Sequence, residues 1–260
     1  MLFLLKLLLV PFLIALVTLA GRRWGPAIAG WLSAFPIVAG PILLAIALEQ
    51  GAAFAAVAAA NTLMAVLAIL VFSVAYARNA RRGMPRAMLA ALLAYGLAVV
   101  VLQGVSLPLW AGFAAVLLGL CVAPWLFGPA PAGAPATGKA ANDLPWRMLA
   151  GAVLSLSVTY AAASLGPRLS GLFAMFPVMS TVLVGFSHRA SGPGFAVALL
   201  RGMIKGYVAF AVFCVTLSLL LRQQSIGMAF LAATGAALVV QLAMKWWMGA
   251  AQRASRPNAA

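Results

Sequence analysis

Acid is almost missing from this chain. Of its 260 residues only Glu49 and Asp143 are acidic, and His188 is the sole histidine. Paired-carboxylate chemistry has no raw material, and no His, Cys and acid cluster shows metal-ligand spacing. No enzyme, metal site or other cofactor is therefore expected. The two cysteines, Cys121 and Cys214, both fall inside apolar runs, which argues against a disulfide or a thiol site. Strand alternation is absent too, and with it the signature of a membrane barrel. No phosphate-binding glycine loop occurs, so ATP-driven transport would need a partner subunit.

What the chain has is apolar length. Hydrophobic residues make up 66% and charged ones 7%, a balance for which a soluble domain lacks polar surface. Runs of about 20 apolar residues recur from end to end, the length that crosses a bilayer as a helix. The expected fold class is all-α: a polytopic membrane helical bundle, with the lipid bilayer as its first partner. Nine spans are expected, over residues 1–20, 25–48, 52–77, 87–105, 108–126, 147–165, 167–187, 195–221 and 227–247. The first run ends in Thr18-Leu19-Ala20-Gly21 and so also reads as a signal peptide, but its basic pair, Arg22-Arg23, follows the apolar stretch instead of preceding it. The Ala-, Gly- and Pro-rich stretch 128–146 is the one long linker, dividing residues 1–127 from 147–260.

The formal charge of +15 does not indicate nucleic acid, because the 17 basic residues lie mostly in short connections between apolar runs. Twelve of them, including Arg22, Arg78, Arg147 and Arg189, fall on one side of the membrane, against two, Arg168 and Arg222, on the other. The rich side is expected to be cytoplasmic, with the N-terminus outside and the C-terminus inside a bacterial inner membrane. Trp24, Trp125, Trp146, Trp246 and Trp247 fall at that inner interface and Trp110 at the outer one, where belt residues belong.

One pattern occurs twice. Gly25-Pro26 to Phe35-Pro36 and Gly166-Pro167 to Phe176-Pro177 both read G-P-x3-G-x4-F-P, separated by 141 positions. The same offset carries Gly51 onto Gly192 and Phe54 onto Phe195. Gly and Pro at fixed spacing mark an internal repeat. The two copies lie five spans apart, an odd number, so they should cross the membrane in opposite senses. Helices 1–4 then pair with helices 6–9 as inverted repeats, with helix 5 as the connector. Inverted repeats with interrupted helices at matching places are the sequence pointer to a transporter core.

Pro36 and Pro177 lie about ten residues into helices 2 and 7, near mid-bilayer at 1.5 Å per residue. Each lacks an N–H and its ring clashes with the carbonyl four residues back, of Leu32 or Phe173, so both helices are expected to be discontinuous or kinked. Pro41 is expected to disturb helix 2 once more. Freed carbonyls and the N–H groups of the following half-helix can bind ions or polar groups. Ser33, Phe35, Pro36 and Asn61 in the first half, and Phe176, Pro177, Ser180 and Thr181 in the second, are the candidate substrate-binding residues. Arg201 and Lys205 complete the set: four apart on helix 8, they share a face about 9 and 15 Å into the membrane. A cation so deep faces a cavity or partner, or snorkels. Gly202 and Gly206 beside them allow another helix to approach closely.

The run Ser170-Gly171-Leu172-Phe173-Ala174-Met175-Phe176-Pro177, followed by an apolar stretch and His188, resembles the small bacterial inner-membrane proteins of the GlpM-like type. The likeness covers helices 6–9 and, more weakly, helices 1–4. It implies a fused, inverted pair of such units, and it carries no functional residue over. The expected function is a secondary transporter or lipid-precursor translocase with its site at mid-depth between the halves. The cations favour a small anionic or phosphate-bearing substrate. The alternative is a non-transporting scaffold or accessory subunit of an envelope assembly, with oligomer or partner contacts.

Overall fold

The computed structural model describes residues 2–36, 39–129, 143–164 and 176–254, which form helices and turns and no strand. The order is α1 (Leu2–Trp24), α2 (Pro26–Ser33), α3 (Ala39–Gln50), α4 (Ala52–Asn79), α5 (Met84–Gln103), α6 (Leu109–Leu126), α7 (Leu144–Ser164), α8 (Val178–Leu220) and α9 (Ile226–Ala254). A single 3-10 turn, Ala80–Arg82, joins α4 to α5. Among the described residues five helices are long and apolar enough to cross a membrane: α4, α5, α6, α8 and α9. Ala39–Gln50 and Leu144–Val158 are shorter apolar helices. Large apolar side chains such as Leu93, Leu97, Leu118 and Leu231 stand exposed on the outer helices, a surface that suits lipid and not water. These features point to a membrane protein.

Proline and glycine place the breaks. The second apolar run is two helices, α2 and α3, because the Pro36 nitrogen cannot donate to Leu32. The Phe35 N–H turns to the Leu32 carbonyl at 3.2 Å instead. Pro41 interrupts nothing: it sits in the first turn of α3, where a missing N–H is harmless. Pro85 starts α5 in the same way, so that helix begins at Met84, three residues before the expected start. The basic turn expected over 189–194 is shorter than its composition suggests. Helix continues to Ser191 and bends at Gly192 alone (φ 84°, ψ 174°). Gly51, between α3 and α4, has nearly the same backbone (φ 88°, ψ 162°). Both lie in a region that a side chain would strain.

The 141-residue offset extends to the helix ends. Adding it to Ala52 and Asn79, the bounds of α4, gives 193 and 220, the second limb of α8. Adding it to Pro36 gives Pro177, and each of these prolines accepts a 2.8 Å hydrogen bond from the N–H four residues on, of Gly40 and of Thr181. Helices α1 and α7, which correspond under the offset, pack on each other in opposite directions. Arg22 near the end of α1 meets Asp143 at the start of α7, and Gly151 of α7 faces Ile14 and Val10 of α1.

Helix α8 is the centre of the bundle, packed against α2, α4, α6 and α9. It meets α2 backbone to backbone. A side chain on Gly202 would strike the Ala27 carbonyl, one on Gly206 the Trp31 carbonyl, and one on Gly30 the Leu199 carbonyl. Small residues are what allow helices to associate where no hydrophobic effect drives them together. Gly202→Ala is therefore expected to destabilise the folded protein by about 1–3 kcal/mol, as an overpacked contact does. Thermal unfolding of the purified protein in detergent measures this. Gly235→Ala, where the added methyl meets nothing within 4 Å, is the neutral control.

Candidate functional site

The site is built from the Pro36 break, the start of α8 after Pro177 and the one turn of α8 that touches both. From the break, Ala34 lies against the position where Gly206 would carry a side chain, and Gly30 against the Met203 backbone. From the start of α8, the buried Ser180 hydroxyl reaches Met203 Sδ at 3.5 Å and neighbours the Tyr207 hydroxyl. The turn Met203–Tyr207 is thus common ground for α2 and for the first limb of α8. Tyr95 of α5 covers the start of α8: its ring meets Phe176 edge to face at 5.9 Å. Tyr95 and Tyr207 are both buried.

The expected site residues divide as follows. Pro36 is buried at the break between α2 and α3 and Pro177 just before α8, with Phe35 and Phe176 partly buried beside them. Ser33 is half-buried and donates to the Gly30 carbonyl at 2.8 Å, closing its own helix. Ser180 is 2% exposed and sits at the shared turn. Thr181 is half-buried, and its Oγ1 is enclosed without a partner. Asn61 of α4 is exposed, while its neighbour Thr62 bonds the Ala58 carbonyl at 2.8 Å. Arg201 turns away from the breaks: Nη2 donates to the Gly128 carbonyl at 3.1 Å, and the guanidinium lies 6.0 Å from the Phe127 ring centre. Lys205, on the shared turn, points outward and is exposed, with no hydrogen bond or ion pair to another described residue. The run 170–175 lies outside the described residues.

A second polar cluster occupies one end of the bundle. The Asp143 carboxylate takes hydrogen bonds from Arg147 Nε at 2.9 Å, Arg147 Nη2 at 2.8 Å and Arg22 Nη2 at 2.8 Å. Arg147, only 6% exposed, also donates to the Ser187 hydroxyl at 3.2 Å and lies over the Phe186 ring at 5.5 Å. Next to it the His188 ring is buried, its Nδ1 2.8 Å from the Tyr76 hydroxyl. This cluster ties α1, α7, α8 and α4 together, and sequence reading did not find it. Its one signal was the acid-then-base spacing of four at Asp143 and Arg147, which marks a helix start. Tyr95, Tyr207 and Gln241 were missed as well, being single polar residues in otherwise apolar helices. Among the described residues no group of His, Cys, Asp and Glu is placed to hold a metal ion.

No family model, curated protein or solved structure matches the chain.

Proposed function

We propose that this chain is a secondary transporter or lipid-precursor translocase built from two inverted repeats. Its substrate site lies at mid-depth, where the Pro36 and Pro177 breaks meet the Met203–Tyr207 turn. In this reading α2 and α3 make one crossing, the two limbs of α8 belong to separate crossings, and the count reaches nine. The basic end with Arg22, Arg78 and Arg147 faces the cytoplasm of a bacterium, with the N-terminus outside and the C-terminus inside.

One observation carries the reading: the Pro36 break and the start of α8 at Pro177, 141 residues apart, converge on a single helical turn. Broken helices give a binding site main-chain groups that an intact helix keeps for itself. The opposed packing of α1 and α7 and the shared backbone of Gly51 and Gly192 support the inverted arrangement. Lys205, a cation on the same turn with no partner among the described residues, favours an anionic or phosphate-bearing substrate.

The test is flux. Purified protein in liposomes, offered a panel of radiolabelled organic phosphates and carboxylates and a fluorescent phospholipid precursor, is expected to move at least one of them saturably. Liposomes without protein set the background. A chain that folds, reconstitutes and moves none of them is a scaffold in the sense of the alternative above.

A further inference from the structure

The Pro36 break leaves oxygen atoms facing inward, and one residue of the opposite half attends to them. In an unbroken helix the Trp31 carbonyl would accept from the Phe35 N–H and the Leu32 carbonyl from residue 36. Residue 36 is proline, and Phe35 has moved to Leu32 at 3.2 Å. The Trp31 carbonyl is taken instead by Gln241 Nε2 of α9, at 3.1 Å. That bond fixes the amide's orientation, since a carbonyl only accepts. Gln241 is 4% exposed, and its Oε1 is buried with no hydrogen-bond partner among the described residues. Both heteroatoms stand on one carbon, so Oε1 lies beside the same helix end. A buried acceptor without a donor is destabilising, and such an atom calls for a bound group.

The group it calls for is positive or donates hydrogen bonds. The oxygens at the end of α2 are the Trp31 carbonyl, which accepts from Gln241, the Leu32 carbonyl, which accepts from Phe35, the Ser33 hydroxyl, which donates to Gly30, and the unpartnered Gln241 Oε1; the Trp31 indole Nε1 is also buried without a partner among the described residues. The carbonyl end of a helix also carries partial negative charge. The oxygens are neutral, and a divalent ion is normally held by carboxylates. The chain has only two acids, one engaged by Arg22 and Arg147 and the other, Glu49, exposed at the far end of α3. A carboxylate proton carrier at this depth is therefore lacking, whereas a weakly charged ion needs no carboxylate.

We propose that the carbonyl end of α2, with Gln241, binds a monovalent metal cation, sodium being the first candidate, and that this ion drives the transporter. The driving role rests on the proposed function, while the binding site does not. Bringing an anion into a cell with a negative interior is uphill by about 2.3 kcal/mol per charge at 100 mV, and a co-transported cation offsets it. The site spans the halves, since Gln241 belongs to α9 and the carbonyls to α2. Val100 occupies the corresponding place in the first half, so the pseudo-symmetric break has no such amide.

Purified full-length protein in detergent is incubated with radioactive sodium and read by scintillation proximity. Wild type is expected to bind saturably, to lose the label to unlabelled sodium and to keep it in choline. Gln241→Leu is expected to weaken binding at least tenfold while remaining monodisperse. A second reading needs no variant: sodium chloride, but not choline chloride at equal ionic strength, is expected to raise the melting temperature of wild type. Absence of saturable binding in folded wild type, or equal binding by Gln241→Leu, overturns the site and leaves water as the partner of Oε1. Sodium binding without any flux keeps the site and removes the transporter. Flux at full rate in choline keeps the transporter and removes the driving role.

Discussion

Asp143→Ala is expected to be the most damaging single substitution at the basic end, lowering stability by about 3 kcal/mol. The size follows from what remains. Arg147 is nearly inaccessible, and two of its three side-chain hydrogen bonds are to Asp143. Removing the carboxylate leaves a buried guanidinium with one hydroxyl and one aromatic face. The Arg22 leg is the weaker one, because its side chain is 29% exposed and water screens it. Arg147→Met added to Asp143→Ala is expected to restore most of the loss, since an apolar side chain needs no counter-ion there. Thermal unfolding of the two single variants and the double variant in detergent measures the coupling directly. If the single Asp143→Ala variant melts with wild type, the network does not hold this end together.

Lys205→Met is expected to abolish flux and leave the fold unchanged. The two halves of that expectation have separate grounds. The fold does not need the ammonium, because it is exposed and bonds no described residue. The proposed site uses it at its outer rim, because Lys205 is the one cation on the Met203–Tyr207 turn, faces outward there, and Arg201 is committed to the Gly128 carbonyl. Loss of an ion pair made with a charged substrate is worth tenfold for each 1.4 kcal/mol, and a desolvated pair contributes several times that. Lys205→Arg keeps the charge and is expected to keep measurable uptake. The readout is initial uptake rate in liposomes at matched protein content, with unfolding curves alongside. Full uptake by the methionine variant removes Lys205 from the site.

Composition and the paired G-P and F-P motifs made much of the scaffold legible in advance. Apolar length alone placed α4, α5, α6 and α9 to within a few residues at most boundaries. Pro36 announced the α2 break because its chemistry is local: a missing N–H is missing in any context. Pro41 misled for the complementary reason, since the same residue three positions into a helix does no harm, and only the structure shows where α3 begins. Gly192 was read as part of a loop because five polar or small residues surround it, whereas one positive-φ glycine is enough to turn the chain. The side-chain networks were out of reach. Arg147 finds Ser187 and Gln241 finds Trp31 across 40 and 210 residues, and nothing in one sequence marks such pairings. The way Lys205 faces was not legible, because that depends on which helix covers the turn.

The central claim is that corresponding segments of the two halves enter the membrane from opposite sides. The direct measurement uses a cysteine-free background, with Cys121→Ser and Cys214→Ser, and one new cysteine at a time. Arg23 and Ser164 occupy equivalent places, 141 residues apart. In intact cells a membrane-impermeant thiol reagent is expected to label Ser164→Cys, and to label Arg23→Cys only after the membrane is opened. Labelling of both positions from the same side contradicts the account.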